Sequence, residues 1–529
     1  MSSARYFLRT DTAMEPMVNQ WYAHPFLLAP ATAARTLATS QISIMDSYVR
    51  SPKMHADALK NRLMAGGPFI NYGGRRVDEI ERLRDRIQRE KTFVIEFSDA
   101  IGELDDVLLE VGDGSSLEPL YDEVPEPLKG YVELVYDRNN QPGFRFLESL
   151  LYRSPYYDRS AQGLALFRHV QDRRPFIMST PRLPDNERLH LSVPFSSERI
   201  DNLYDLRSTP QPLEEIRDRL ELGPEELEAF RAFLTEEEPA PREPYDGDGV
   251  RVRYFSHACV LIETRDVSIL TDPLASVAYP EGPDRFTLAD LPESIDYVLI
   301  THSHLDHILL ETLLPLRRRI RNILVPRNGP GTLEDPSIRL MLENAGFGNV
   351  RDVEDMERIE VPGGAITTVP FFGEHGDLAV RTKSAYSVKL HGKHLLLVAD
   401  SSILESRVYR LVHEEIGDAD ALFINMESVG APVTWAYGAV MTQPVDRKMA
   451  DTRRTKGSNV EQGIGMVDQF RPQEAYIYAM GHEPWMYHVL AVEYEEEDKQ
   501  MRDTGAFLRE CRQRGLESEL LYCKKELFY

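Results

Sequence analysis

Short apolar runs separated by polar turns dominate the second half of the chain. The stretch RVRYFSHACVLIETRDVSILTDP predicts a β-meander, with strands over Val250–Tyr254, Val260–Thr264 and Val267–Thr271. Tyr297–Thr301 (YVLIT) is almost wholly apolar, the pattern of a strand covered on both faces. Similar runs predict strands over Asn322–Pro326, Ala365–Pro370, Ser384–Leu390, Leu395–Ala399 and Ala475–Ala479. Helical spacing falls between them, at Ser337–Ala345 and Ile403–Ile416, and a helix over Thr504–Arg514 precedes a last strand over Glu519–Cys523. Strands alternating with helices and hairpins in this way predict packed sheets with helices outside.

The first half is patterned differently. Helical periodicity covers Val77–Thr92 and Leu213–Leu234. Short strands are expected over Gly130–Asp137, Gly143–Leu147, Phe176–Thr180 and His190–Pro194. That order suits an α+β domain, an antiparallel sheet with helices on one face. Between the halves, TEEEPAPREPYDGDG mixes acids, prolines and glycine, the composition of a solvated linker. The expected division is therefore an α+β domain over 1–235, a linker over 236–249 and a second domain over 250–529. The first domain has no catalytic motif, and its histidines (His24, His55, His169 and His190) are scattered. Dimerisation, partner binding or substrate channelling is the role expected of it.

Composition narrows the function. The 529 residues include 61 Lys and Arg against 86 Asp and Glu, a net charge of −25. A nucleic-acid binder needs a basic surface, so that class is disfavoured, as is an anionic membrane. Three cysteines (Cys259, Cys511 and Cys523) exclude a disulfide framework. The opening residues lack an apolar run of signal-peptide length, and no 18-residue apolar stretch occurs, so a cytoplasmic protein is expected. The fingerprints of dinucleotide sites, P-loops and nucleophile elbows are missing.

The chemistry concentrates in THSHLDH, directly after the strand YVLI. His302, His304, Asp306 and His307 fall within six residues at the end of a buried strand. Such a polar cluster is costly there unless solvated, paired or metal-bound. Alternate residues of an extended segment share a face, so His302 and His304 suit one metal. Asp306 and His307, past the bend, suit a second.

This H-x-H-x-D-H signature behind a meander ending in Thr271–Pro273 resembles the metallo-β-lactamase fold superfamily over roughly 250–490. The resemblance implies an α/β fold, an αββα sandwich, with a dinuclear metal site at one edge of the paired sheets. It also implies three further ligands at later strand ends. VADSS offers Asp400 as the bridging aspartate, and AMGHEPW offers His482 as the last histidine. At the remaining position, in FFGEHGD, Glu374 and His375 compete. A carboxylate there favours iron or manganese, because a hard anionic oxygen replaces an imidazole.

Taken with the length of the chain, these motifs are similar to the diiron β-hydroxylases of the kind that serve chloramphenicol biosynthesis. That resemblance implies two iron ions, dioxygen as co-substrate and an external electron donor. It implies an amino acid tethered through phosphopantetheine to a nonribosomal peptide synthetase carrier domain; a homodimer is expected from the N-terminal domain. By the same resemblance His302, His304 and Glu374 hold one iron, Asp306, His307 and His482 the other, and Asp400 bridges them. The alternative is a dizinc hydrolase of the same fold, with His375 as ligand and a metal-activated water as nucleophile. His257, Glu427, Trp435 and Tyr437 could support the ligands or line the substrate channel, with packing or loop roles the preferred reading, and Arg317–Arg321 (RRRIR) is read as the solvated end of a helix in preference to a phosphopantetheine or carrier contact.

Overall fold

In the computed structural model, which describes residues 4–111, 114–240, 242 and 244–529, two seven-stranded sheets stack face to face. The first sheet runs Val350–Val353, Ile320–Pro326, Ile295–Leu299, Ser268–Thr271, Cys259–Glu263, Arg251–Ser256 and Lys525–Phe528. Its first four strands are parallel and the rest antiparallel. The second sheet runs Arg358–Val361, Gly364–Val369, Ala385–Leu390, Lys393–Leu397, Ala421–Ile424, Glu474–Ile477 and Glu517–Leu520, antiparallel as far as Lys393–Leu397 and parallel beyond it. In each half an antiparallel meander thus leads into parallel strands.

Parallel neighbours require long crossovers, and amphipathic helices supply them. Leu310–Leu316 and Ile338–Asn344 cover the first sheet, while Ser406–Ile416, Val460–Phe470 and Lys499–Gln513 cover the second. Between the sheets, Val252, Tyr254, Val260 and Ile262 meet Ile366, Tyr386, Val388 and Leu397. On the outer faces, Leu270, Val298 and Ile323 pack under Leu313 and Leu342, and Leu396, Leu422 and Ile477 under Tyr409, Met466 and Phe507. The strands are apolar on both sides because both sides are covered, and the result is an αββα sandwich. Each of these large side chains contributes about 1.5–3 kcal/mol by leaving water.

The N-terminal half forms a four-stranded antiparallel sheet, in the order Trp21–Tyr22, Thr12–Val18, Gln162–Arg168 and Arg188–Ser192. Helices Val77–Glu90 and Thr92–Val111 turn Ile80, Leu83 and Ile87, and Phe97, Ile101 and Leu104, into a second core. This half shares its cores with the sandwich. Tyr22, Leu164 and Phe195 join Leu310 and Leu313, and Leu37 and Phe97 join Val433 and Tyr437. A buried ionic network crosses the same junction. Glu15 accepts from Arg174 and Arg182, each at 2.8 Å, and Arg174 reaches on to Glu311 at 2.8 Å.

Four expectations need correction. Phe176–Thr180 is a turn, because its polar groups bond to other loops: Ile177 N donates to His488 O and Ser179 Oγ to Phe69 O, both at 2.9 Å. Leu213–Leu234 is broken into Leu213–Leu220 and Pro224–Phe230, where Glu221 turns left-handed (φ 52°) ahead of Gly223-Pro224. The last strand ends at Leu520, and the chain then crosses to the other sheet through Cys523 (φ 59°), adding Lys525–Phe528. The RRRIR run is not solvated at its start. Arg317 is buried, donating to Ala345 O at 2.7 Å and to Asp201 Oδ1 at 2.9 Å, so it fastens the N-terminal half to the sandwich. The described residues of 236–249 carry no helix or strand. No helix among the described residues is long and apolar enough to cross a membrane.

Candidate metal centre

The polar residues singled out above lie where strands end at one edge of the sandwich. Thr301–His307 follows Ile295–Leu299, Asp272 follows Ser268–Thr271, Glu374 lies beyond Gly364–Val369, and Asp400 follows Lys393–Leu397. His257 occupies the tight turn between Arg251–Ser256 and Cys259–Glu263. Cross-links fix these ends. Ser384 N donates to Thr301 O at 2.7 Å, Ala399 N to Tyr478 Oη at 2.9 Å, and Ala479 N to His257 O at 2.9 Å.

Backbone strain gathers at the same edge. His257 (φ 47°), Asp272 (34°), Glu374 (69°), Ala399 (45°) and Ala479 (55°) are left-handed, a conformation that costs a non-glycine residue about 1–3 kcal/mol. Around Glu374 the turn is eased by Gly373 (φ 85°) and Gly376 (φ 58°).

Three overlapping groups have ligand atoms within 4.8 Å of one another: His302, His304 and His375; His257, Asp306 and His307; and His302, His307 and Asp400. Asp400 therefore shares a histidine with each of the other groups, the placement of a bridging carboxylate. Glu374 Oε1 is 3.1 Å from His304 Nδ1. His257 Nε2 is 3.0 Å from Asp306 Oδ2, and His307 Nε2 is 3.2 Å from Asp400 Oδ2. Six of the seven residues singled out in the sequence, His302, His304, Asp306, His307, Glu374 and Asp400, converge here. His482 lies outside the three groups, its ring stacked on Tyr522 at 4.9 Å.

The structure adds residues that the sequence reading left as packing or did not weigh. His257 is buried against Asp306 and His307. Fully buried Asp272 accepts from Thr301 N at 2.7 Å, from Thr301 Oγ1 at 2.6 Å and from His307 Nδ1 at 2.8 Å. This leaves Nε2 of His307 toward the cluster and fixes the ring, as an anionic partner does for a metal-binding imidazole. Tyr437 Oη lies 2.8 Å from His304 Nε2, so Nδ1 is the atom that His304 turns to the cluster. The sequence signal for Asp272 and His257 was faint: a single polar residue at the end or bend of an apolar strand.

Electrostatics show what the site is suited to hold. Burial pushes the His302 and His375 imidazoles well below their usual range and His304 down to about 4, so these rings are neutral. Burial would also lower His307, but Asp400, Asp306 and Asp272 outweigh it and raise it well above the usual value. Burial, with Asp400 and Asp306 nearby, pushes the Glu374 carboxyl far above the ordinary carboxylate range, and Glu427 shifts the same way. His257 Nδ1, His302 Nε2, Glu374 Oε2, His375 Nε2, Asp400 Oδ1 and His482 Nδ1 are buried without a hydrogen-bond partner. The neutral rings of His302, His304 and His375, the raised Glu374 and Glu427 carboxyls and the orphaned ligand atoms together fit a pair of cations. The mixture of imidazole and carboxylate suits iron.

Comparison with known proteins identifies the class. Residues 7–239 match the family described as the diiron non-heme β-hydroxylase N-terminal domain, and residues 268–441 match the β-lactamase superfamily domain. The 4-amino-L-phenylalanyl-[CmlP-peptidyl-carrier-protein] 3-hydroxylase of Streptomyces venezuelae is 37% identical over 532 residues, covering 99% of each chain. The chain belongs to the diiron non-heme β-hydroxylases. The crystal structure of CmlA, a diiron β-hydroxylase from Streptomyces venezuelae, matches this β-hydroxylase with a TM-score of 0.93 at 36% identity, over the whole of both chains. A point mutant of CmlA gives 0.91, again at 36% identity, over 99% of this chain and all of that one. The β-hydroxylase thus combines a metallo-β-lactamase sandwich with the N-terminal domain of its family, and its cofactor is a pair of iron ions. The dizinc hydrolase alternative falls with that assignment.

Proposed function

We propose that this β-hydroxylase adds a hydroxyl group to the β-carbon of an aromatic amino acid held as a thioester on a nonribosomal peptide synthetase carrier domain, as a step in antibiotic biosynthesis. The name of the Streptomyces venezuelae relative specifies such a substrate, and near-complete coverage at 37% identity supports carrying it over. In this reading His302, His304 and Glu374 hold one iron. Asp306 and His307 hold the second, and Asp400 lies between the two. For the third protein ligand of the second iron, His257 is the imidazole in place beside Asp306, whereas His482, implied by the sequence resemblance, stands farther out.

The observation that carries the ligand reading is Glu374. Its carboxyl is buried, Oε2 has no partner, and the nearby ammonium of Lys383 is directed to Gly373 O, at 3.5 Å. A buried acid without a counter-charge is stable only when neutral or when a cation sits beside it. A pair of irons held by these residues would supply the activation of dioxygen that C–H hydroxylation requires, with electrons from a separate donor. The chain supplies position. Asp272 orients His307, Tyr437 orients His304, and Phe371, 5.3 Å from the His302 ring, walls the cluster on its apolar side. Tethering to the carrier confines the reacting carbon and gives the orientation that a free amino acid lacks.

The test offers the reduced enzyme 4-amino-L-phenylalanine either free or loaded on a carrier domain, in air, and reads product mass. The proposal expects a gain of one oxygen on the loaded amino acid and no reaction of the free one. Equal reaction of both would overturn the carrier requirement.

A further inference from the structure

The chain is strongly acidic, yet a ten-residue stretch beside the metal centre reverses the balance. Between Arg447 and Lys456 (RKMADTRRTK) stand Arg447, Lys448, Arg453, Arg454 and Lys456, with Asp451 as the single acid. The stretch lies against the rim of the metal centre. Arg453 Nε donates to Gly376 O at 2.8 Å, holding the turn that carries Glu374 and His375. Gly457 N donates to Glu427 O at 2.9 Å, and Ser458 Oγ donates to Ser401 O at 3.0 Å, next to Asp400. Arg454 Nε donates to Gly430 O at 2.7 Å. Two of the five cations therefore brace the rim through backbone carbonyls.

The other three are free to meet a partner. Arg447, Lys448 and Lys456 are exposed, and Lys448 and Lys456 form no ion pair among the described residues. Arg447 reaches only Asp451, at 3.5 Å, and both of those side chains are exposed. Apolar surface accompanies them. Met449, in the same short helix Arg447–Thr452, is 49% exposed, and Leu404, in the loop after Asp400, is 54% exposed. Exposed cations with exposed large apolar groups, on a rim that opposes the charge of the whole molecule, make a surface that attracts an acidic partner.

We propose that Arg447, Lys448 and Lys456 form the docking surface for the carrier domain, meeting its acidic face and the phosphodiester at the root of its phosphopantetheine arm. This rests on the carrier-bound substrate proposed above. The surface adjoins the loops that hold Glu374, Asp400 and Glu427, so a carrier seated there presents its thioester arm at the edge of the site.

The test is single turnover of diiron enzyme reduced chemically, with the CmlP carrier domain loaded with 4-amino-L-phenylalanine as substrate. The double variant Arg447→Glu, Lys448→Glu and, separately, Lys456→Glu are compared with wild type, and Arg89→Glu, an exposed change in the N-terminal half, is the control. The proposal expects the loaded-carrier concentration for half-maximal turnover to rise at least tenfold in the double variant. It also expects a shallower salt dependence, with iron content and visible spectrum retained. Unchanged carrier affinity and salt dependence would overturn it. So would a defect that appears only when electrons come from a protein donor, which would assign the surface to the reductant. Failure of the wild type to hydroxylate any loaded carrier would overturn the substrate reading and the docking surface with it, whereas unchanged carrier affinity in the variants would overturn the docking surface alone.

Discussion

Replacing Asp272 by asparagine tests how the protein presents His307 to metal. The carboxylate takes three hydrogen bonds in a fully buried position, Thr301 N on Oδ1 and both Thr301 Oγ1 and His307 Nδ1 on Oδ2. An amide that keeps the bond from Thr301 N turns its NH2 toward the other two donors. His307 then moves its proton to Nε2, the nitrogen 3.2 Å from Asp400, and that atom stops being an electron-pair donor. Loss of such an orienting partner typically weakens metal binding about 10- to 100-fold, roughly 1.4–2.7 kcal/mol. Stability changes less, because removing a buried negative charge offsets part of the lost hydrogen bonding, and burial already pushes the Asp272 carboxyl above its usual value. Anaerobic Fe(II) titration against a chelator reads the effect site by site. One iron should weaken by that factor while the other holds within about threefold. If both irons bind Asp272→Asn protein as they bind wild type, His307 is not a ligand held by Asp272.

Glu374→His should shift the loaded metal from iron toward zinc and abolish hydroxylation, read by metal analysis beside product mass; full iron content at the wild-type rate would remove Glu374 from the ligand set. Glu15→Gln strands Arg182 and weakens the buried network at the junction of the two halves, so chemical denaturation should show a loss of about 3–5 kcal/mol. Burial lowers the buried His24 imidazole to about 4, so the unfolded chain binds its proton first. Its contribution of about 3 kcal/mol is complete above pH 6.5 and is lost as pH falls toward 4, and His24→Leu should flatten the denaturation profile across that window.

Much of the sandwich was legible because its strands are covered on both faces and read as apolar runs of four to seven residues. The Thr301–His307 loop stood out because four polar side chains at the end of such a run have no packing role. Elements governed by distant partners were not legible. Phe176–Thr180 looks like a strand but bonds to loops from elsewhere, and the arginines of RRRIR look solvated until Asp201 and the carbonyl of Ala345 meet Arg317. Lys525–Phe528 joins the sheet opposite to its sequence neighbour, which local periodicity does not encode. Within the site, spacing brought forward Glu374 and His375 together, and the fold turns both toward the cluster. His257 and Asp272 come from the meander, far along the chain from the motif they support, so only the tertiary fold brings them to it.

Anomalous X-ray scattering from crystals of the aerobically purified enzyme, recorded across the iron and zinc absorption edges, tests the ligand assignment most directly. Two peaks should appear at the iron edge. One belongs beside His302, His304 and Glu374, the other beside Asp306 and His307, with Asp400 between them. A zinc signal in place of iron, a single peak, or a first peak bound by His375 with Glu374 turned away would contradict it.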